Sequence, residues 1–547
     1  MAPKAPVGPL FVGVDVGTGS ARAGIFDAGG GLVASAKRDI RLWQDGSHIA
    51  EQSGDDIWQA ICASLHEAMA TVGARADDIA GLGFDATCSL VVVGPDGAPL
   101  PVGAHGDPDR NIIVWMDHRA AAQARRINAT GHPVLRYVGG TISPEMETPK
   151  LLWLRDHLPE TYAAAWQFFD LADYLGWRAT GDLGRSACTV TCKWTYLAHE
   201  DRWDGSYFNA IGLDDIPADG FERIGTQIVP AGTPLGSGLT EQAAADLGLR
   251  PGTPVGAGLI DAHAGGLGSV AVTGHGTPAA AGRLAYILGT SACTMTSSDA
   301  PQFIPGVWGP YFSAMVPGLW LNEGGQSAAG AAIDQTISLH PAAPEIRAEA
   351  EAQGRSLPDH LARLAAGAVT RLSDAAMLAG RLLVVPDHLG NRAPFADPEA
   401  RAVIAGVGME RDRDSLVALY VAAVLGVGYG LRQIIAASRA NSAVIDLIVL
   451  SGGAGRSPLF RQLLADCTGL PLAVPDQPEP VLLGAAMLGA AAGSDTDLAA
   501  IMTRMTGSAR IFTPAQGATA TFHDRRFAAF EALQSAARDI PSEKGTD

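Results

Sequence analysis

Three times along this chain a short β-rich run ends in a turn built of glycine and hydroxyl residues: Asp15-Val16-Gly17-Thr18-Gly19-Ser20, Gly289-Thr290-Ser291 and Ser451-Gly452-Gly453-Ala454-Gly455-Arg456-Ser457-Pro458. Such a turn bares several backbone N–H groups on one side, and nests of this kind hold phosphate oxygens. Each turn taken alone has a second reading as an ordinary hairpin, because glycine turns are common. None is a Walker A loop, since no GK[ST] follows, and the first is not GxGxxG, since Arg22 stands where the third glycine belongs. Three strand-terminal turns of one style, spread over both halves of the chain, favour nucleotide binding over coincidence.

The runs around these turns set the fold class. Phe11 to Val16, Ala21 to Phe26 and Leu32 to Ala36, separated by turns, read as an antiparallel meander. Ser53-Gly54-Asp55-Asp56 matches a capping box, after which Ile57, Ile61, Leu65, Ala68, Met69 and Val72 recur at helical spacing. Ile79 to Phe84 returns as a buried strand. Strands at 285–288 and 445–450, with helices at 415–439 and 479–492, repeat the style in the second half. A meander followed by alternating strands and helices predicts an α/β fold other than the βαβ dinucleotide type. At 547 residues the chain exceeds one core, and glycine and alanine dominate 265–282. Two similar α/β domains, 1–268 and 269–547, are therefore expected to face each other across a cleft.

Charge narrows the partners. Fifty-seven acidic against thirty-nine basic side chains give a net charge of −18, which argues against nucleic acid or an anionic membrane surface. An anionic ligand then needs local donors or a metal. Six cysteines, Cys62, Cys88, Cys188, Cys192, Cys293 and Cys467, form no CxxC pair, so a reducing cytoplasm and no zinc site are expected. Met1 to Leu10 lacks a secretory pattern, and the apolar stretch Ser415 to Leu431 is glycine-broken and short of the roughly 20 residues of a membrane span. It reads as a buried helix.

Four places carry candidate chemistry. Asp261 is an isolated acid in the small-residue run Gly256 to Gly266, where a carboxylate is expensive unless it has a task; as a helix N-cap it has a structural reading too. Only five of the thirty-nine basic residues are lysines. Lys193, in Thr191-Cys192-Lys193-Trp194, reads either as an ammonium reaching a polar ligand or as a solvated surface group. Glu323-Gly324-Gly325-Gln326-Ser327 presents polar side chains on a glycine turn. Trp115 suits stacking on a sugar face or a place in the core. No HExxH and no GxSxG with partners occur, which sets zinc protease and serine hydrolase chemistry aside.

Together these segments resemble the FGGY carbohydrate kinase family from Val12 to about Phe530. Asp15 to Ser20 resembles its first phosphate motif, Gly289 to Ser291 its second, and Ser451 to Phe460 its adenosine-side motif. Lys150 to Asp156 is similar to the core of a family signature, although Glu147 replaces a small or hydroxyl residue, and Gly390 to Pro398 to another recurrent segment. The resemblance implies two actin-like, ribonuclease-H-like ATPase domains with ATP and sugar in the cleft. It implies Asp261 as general base, and Mg²⁺ held by Asp15, through water, and Asp261. ATP phosphates would lie on Gly17, Thr18, Ser20, Gly289, Thr290, Ser291, Gly452, Gly453, Ala454 and Ser457. Ala86, Trp115, Lys193, Asp261, Glu323 and Gln326 match ketopentose contacts, and Thr87-Cys88-Ser89 with Thr191-Cys192-Lys193-Trp194 look most like the D-ribulokinase branch. L-ribulose, ribitol and xylulose are alternative acceptors, and an actin-like ATPase without sugar chemistry is the reading from another class. The small-molecule partners implied are a ketopentose and ATP, with a homodimer compatible. For Asn391 and Arg392, phosphate contact and interdomain pairing both stay open.

Overall fold

The structure, a computed structural model, describes residues 8–46, 48–273, 280–453 and 457–540. The expected meander is present: the strands Leu10–Val16, Ser20–Phe26 and Leu32–Asp39 pair antiparallel, with Asp15 opposite Arg22. Ile79–Ala86 and Val255–Ile260 then add in parallel, giving a five-stranded sheet. The helix Gly54–Val72 starts where the sequence places it, with the Ser53 side chain accepting from the Asp56 N–H. The reciprocal half of a capping box is not formed; the Asp56 carboxylate accepts instead from the N–H of Arg41.

The second half repeats this plan. Arg283–Leu288, Ala292–Ser298 and Trp320–Gln326 pair antiparallel, and Leu447–Ser451 and Leu472–Pro475 extend the sheet in parallel. Trp308–Phe312 and Ala509–Phe512 complete seven strands at the two edges. The long helix Arg413–Ala440 passes a length-and-composition test for a membrane span, but 78% of its apolar window is buried inside the protein, in the core of this second half.

What joins the halves is an exchange of helices. Asp261–Val270 leaves the first sheet and packs beside Arg283–Leu288, whereas Pro480–Ala492, from the second half, lies across the first sheet. The contact is nearly backbone on backbone. A Cβ at Gly13 would collide with the Leu482 carbonyl, one at Gly83 with that of Ala485, and one at Gly484 with that of Ala264. One apolar core consequently runs through both halves, from Leu259, Ala264 and Leu267 to Ala285, Met295, Leu482 and Leu483. A methyl at Gly13 has only backbone to push against, so Gly13→Ala is expected to lower stability by at least about 2 kcal/mol. Urea unfolding of the full chain measures it.

Candidate active site

Three parallel strands of the first sheet end in register, Val16 beside Ala86 and Ala86 beside Ile260, so Gly17, Thr87 and Asp261 leave the sheet at one edge. Ligands bind beyond the carboxyl ends of parallel strands because loops and helix N-termini converge there. In the second sheet Ile287 pairs with Ser451, and Gly289 and Gly452 leave together in the same manner. The hairpin reading of the first two glycine turns is met, and residues of both turns border the cleft. Each closes an antiparallel hairpin, with Gly17 N–H donating to the Ser20 carbonyl at 3.0 Å and Gly289 N–H to that of Ser291 at 2.8 Å, and each contributes to the cleft.

A cavity of about 510 Å³ occupies the cleft, walled by Asp15, Gly17, Thr18, Ser20, Trp115, Lys193, Asp261, Ser291 and Glu323 among others. A second, of about 490 Å³, is walled by Gly452, Gly453, Asp476 and Glu479 and adjoins the first through Arg22, Ile287 and Val481. One compartment thus carries the candidate base and sugar contacts, and its neighbour the adenosine-side turn.

Acidic groups gather between them. Asp15, buried, accepts from Arg22 Nε at 2.8 Å and from a second guanidinium nitrogen, while Arg22 Nη1 donates to Glu479 at 2.8 Å. Asp85, beside Asp15 in the sheet, is fully buried and neither oxygen has a hydrogen bond. Burial, then Asp15 and Asp261, push its pKa well above the usual carboxylate range. Asp261 is the first residue of its helix and not the cap, a position held by Ile260; its Oδ1 accepts from the Ala262 N–H at 2.7 Å. Burial and the facing Asp15 raise it to about 6. Carboxylates forced together supply the hard oxygen donors a small divalent cation takes, and a cation there relieves the repulsion that raises Asp261, so Asp15 and Asp261 fit Mg²⁺.

At the other end lies Lys193, last residue of the helix Ala187–Lys193 and 5% exposed. Among the described residues it makes no hydrogen bond or ion pair; its Nζ faces the Trp308 ring, 5.3 Å from the centroid. Burial opposes its charge, yet facing Cys88 and Glu323 hold its pKa well above the ordinary value. Glu323, 7% exposed, lies 3.5 Å from His263 Nε2. Burial works against its ionisation too, but His263 and Lys193 pull it down to about 2. Trp115 ties this end to the first glycine turn, its Nε1 donating to Thr18 Oγ1 at 2.9 Å.

Some expected residues lie elsewhere. Gln326 is not on the wall of either cavity: it accepts from the Tyr286 hydroxyl at 2.6 Å and donates to the Val427 carbonyl at 3.0 Å. Ala86 is buried just short of the wall, which Thr87 and Cys88 form. Gly289 and Thr290 brace the helix Gly330–Ser338 through their carbonyls. Ser457 caps Pro458–Thr468 and borders an outer cavity instead. Ala454 lies outside the described residues. Asn391 braces its own loop through Asp387 and the Phe395 N–H, whereas Arg392 reaches the sugar-side wall, 3.9 Å from Cys293 Sγ. Glu147 forms a buried ion pair with Lys150 at 3.3 Å. Trp308, Glu145 and Arg22 were not anticipated, nor was the cluster of Cys188, Cys192 and His263, whose ligand atoms lie within 4.8 Å of one another.

Two lobes of this topology, each with a glycine turn on a shared cleft and an acid between them, define the actin-like class of ATP-using proteins. Models of the FGGY family of carbohydrate kinases match residues 10–268 as its N-terminal domain and 284–493 as its C-terminal domain, and the chain belongs to that family of ATP-dependent sugar kinases. It is 46% identical over 492 residues to an FGGY carbohydrate kinase domain-containing protein of Homo sapiens, covering 89% of each chain. It is 37% identical to a D-ribulokinase of Saccharomyces cerevisiae, over 91% of this chain and 74% of that one. A solved xylulose kinase from Rhodospirillum rubrum superposes with a TM-score of 0.79 at 23% identity, covering 97% of this chain and 99% of the other.

Lys193 and Glu323 are buried charges that each favour the other's ionised form, so removing one strands the other. Lys193→Met is expected to destabilise the ligand-free protein by about 1 kcal/mol or more while abolishing sugar-dependent turnover. Thermal melts and ADP release, measured on one preparation, check both signs.

Proposed function

We propose that this protein is a D-ribulokinase, transferring the γ-phosphoryl group of ATP to O5 of D-ribulose. The observation that carries the reading is Lys193, buried and without a hydrogen bond among the described residues, in the cavity that also holds Asp261, Glu323 and Trp115: a neutral, hydroxyl-rich substrate supplies the acceptors it lacks. The likeness to the yeast D-ribulokinase supports this acceptor over others.

In this reading the Asp261 carboxylate takes the O5 proton as the O5–P bond forms and the bond from γ-phosphorus to the bridging oxygen breaks, releasing ADP. Before a cation binds, burial and Asp15 raise this carboxyl to about 6, which leaves it mostly ionised at neutral pH and able to accept a proton. The N-terminus of the Asp261–Val270 helix adds positive potential beside the incoming phosphoryl group. The turn at Gly17 to Ser20 and Ser291 offer donors on the same cavity, since phosphoryl transfer asks the protein mainly for positioning and charge stabilisation. Mg²⁺ held at Asp15 and Asp261 supplies neutralisation of phosphate charge, which matters more in a chain of net charge −18. The six free cysteines support a place in a reducing cytoplasm.

Sugar-dependent ADP release with Mg·ATP, across D-ribulose, L-ribulose, D-xylulose, ribitol and glycerol with a no-sugar control, tests the proposal. A marked kcat/KM preference for D-ribulose is expected. Preference for another acceptor would overturn the assignment of substrate, and hydrolysis indifferent to sugar would overturn the kinase reading of the cleft. Asp261→Asn is expected to fold and bind ATP, with transfer lowered about 10²- to 10⁴-fold; single-turnover kinetics beside ATP titration separates the two effects.

A further inference from the structure

Beneath the sugar-side wall, three buried groups from distant parts of the chain meet. Cys188 Sγ lies 3.0 Å from His263 Nδ1 and also accepts from the Ile260 N–H at 3.5 Å. His263 Nε2 lies 3.5 Å from Glu323 Oε2, an ion-pair distance, and has no hydrogen-bond partner among the described residues. Cys188 and His263 are wholly buried. The Cys188 sulfur at Nδ1 and the Glu323 carboxylate facing Nε2 bracket the ring along its two nitrogens.

The segments that supply these groups also supply the sugar-side wall. Cys188 shares the helix Ala187–Lys193 with Lys193, and His263 shares the helix Asp261–Val270 with Asp261. Glu323, from the second sheet, is itself on the wall. The thiol–imidazole–carboxylate line therefore fastens the supports of three wall residues to one another.

We infer that His263 is a positioning residue for sugar recognition: held at Nδ1 by Cys188, it turns its Nε2–H to Glu323 and fixes the carboxylate that receives a hydroxyl of the ketopentose. This rests on the proposed role of Glu323 as a sugar contact. The imidazole touches neither sugar nor phosphate. Its effect falls on sugar binding and leaves the nucleotide compartment, where it has no contact, unchanged.

The test uses the full chain with His263→Leu, Glu323→Gln and the double variant, reading KM for D-ribulose, KM for ATP and kcat, with thermal melts as the folding check. Loss of the contact that orients the charged carboxylate, or of its charge, is expected to raise KM for D-ribulose about tenfold or more in each single variant, with KM for ATP unchanged. The double variant should be no worse than Glu323→Gln alone, because both act through one carboxylate. His263→Gln, whose amide N–H reaches toward the same oxygen, should restore most of the lost affinity, and should do so even where the leucine variant folds poorly. A sugar KM unmoved by His263→Leu while Glu323→Gln raises it, or single effects that multiply in the double variant, would overturn the inference alone. A sugar KM unmoved by Glu323→Gln would overturn the sugar-contact reading and the inference with it.

Discussion

The close crossing of two helices sets the geometry of everything else in this molecule. Asp261–Val270 belongs by sequence to the first sheet and Pro480–Ala492 to the second half, yet each packs on the other's sheet. Gly484 against Ala264 lets the two helix backbones meet without intervening side chains, and Gly13 against Leu482 seats the second helix directly on a strand of the first sheet. Because Asp261 opens the first helix and Glu479 directly precedes the second, this contact fixes the acid of one compartment against the edge of the other. Arg22 spans that distance, bonded to Asp15 on one side and Glu479 on the other.

The site is a balance of charges that burial makes expensive. Asp85 meets the expense with a pKa pushed well above the usual carboxylate range by burial, and Glu147 and Lys150 meet it by pairing. Lys193 and Asp261 do neither fully, and both face the cavity. Of the three lysines among the described residues, Lys150 is sealed in an ion pair and Lys193 and Lys37 both border this cavity. In a chain that otherwise relies on arginine, two of these lysines stand on the cavity wall beside Arg22 and Arg392.

Much of the architecture was legible in the sequence because it depends on local patterns. The strand-terminal turns, the meander and the buried helix near 413–440 follow from period, glycine placement and length. Asp261 was visible as a charge among small residues. Gln326 was misplaced because glycines beside polar residues resemble a loop, whereas here they lie in a strand whose glutamine is satisfied by Tyr286 and Val427. The Cys188–His263–Glu323 line had no local signal: its members are far apart in sequence, and only the convergence of two helices with a strand of the other sheet brings them together. Arg22 was noticed merely as a missing glycine, since its meaning comes from the cross-strand register that sets it opposite Asp15.

A contact between smooth backbones has a mechanical consequence. Interlocked side chains resist sliding, because knobs must leave their holes before a new register is reached. Where Gly13, Gly83 and Gly484 leave the surfaces bare, the lobes meet as two polished faces of a bearing. Such a contact offers little side-chain resistance to a small rotation of one lobe on the other, a motion that would change the width of the cleft at its mouth.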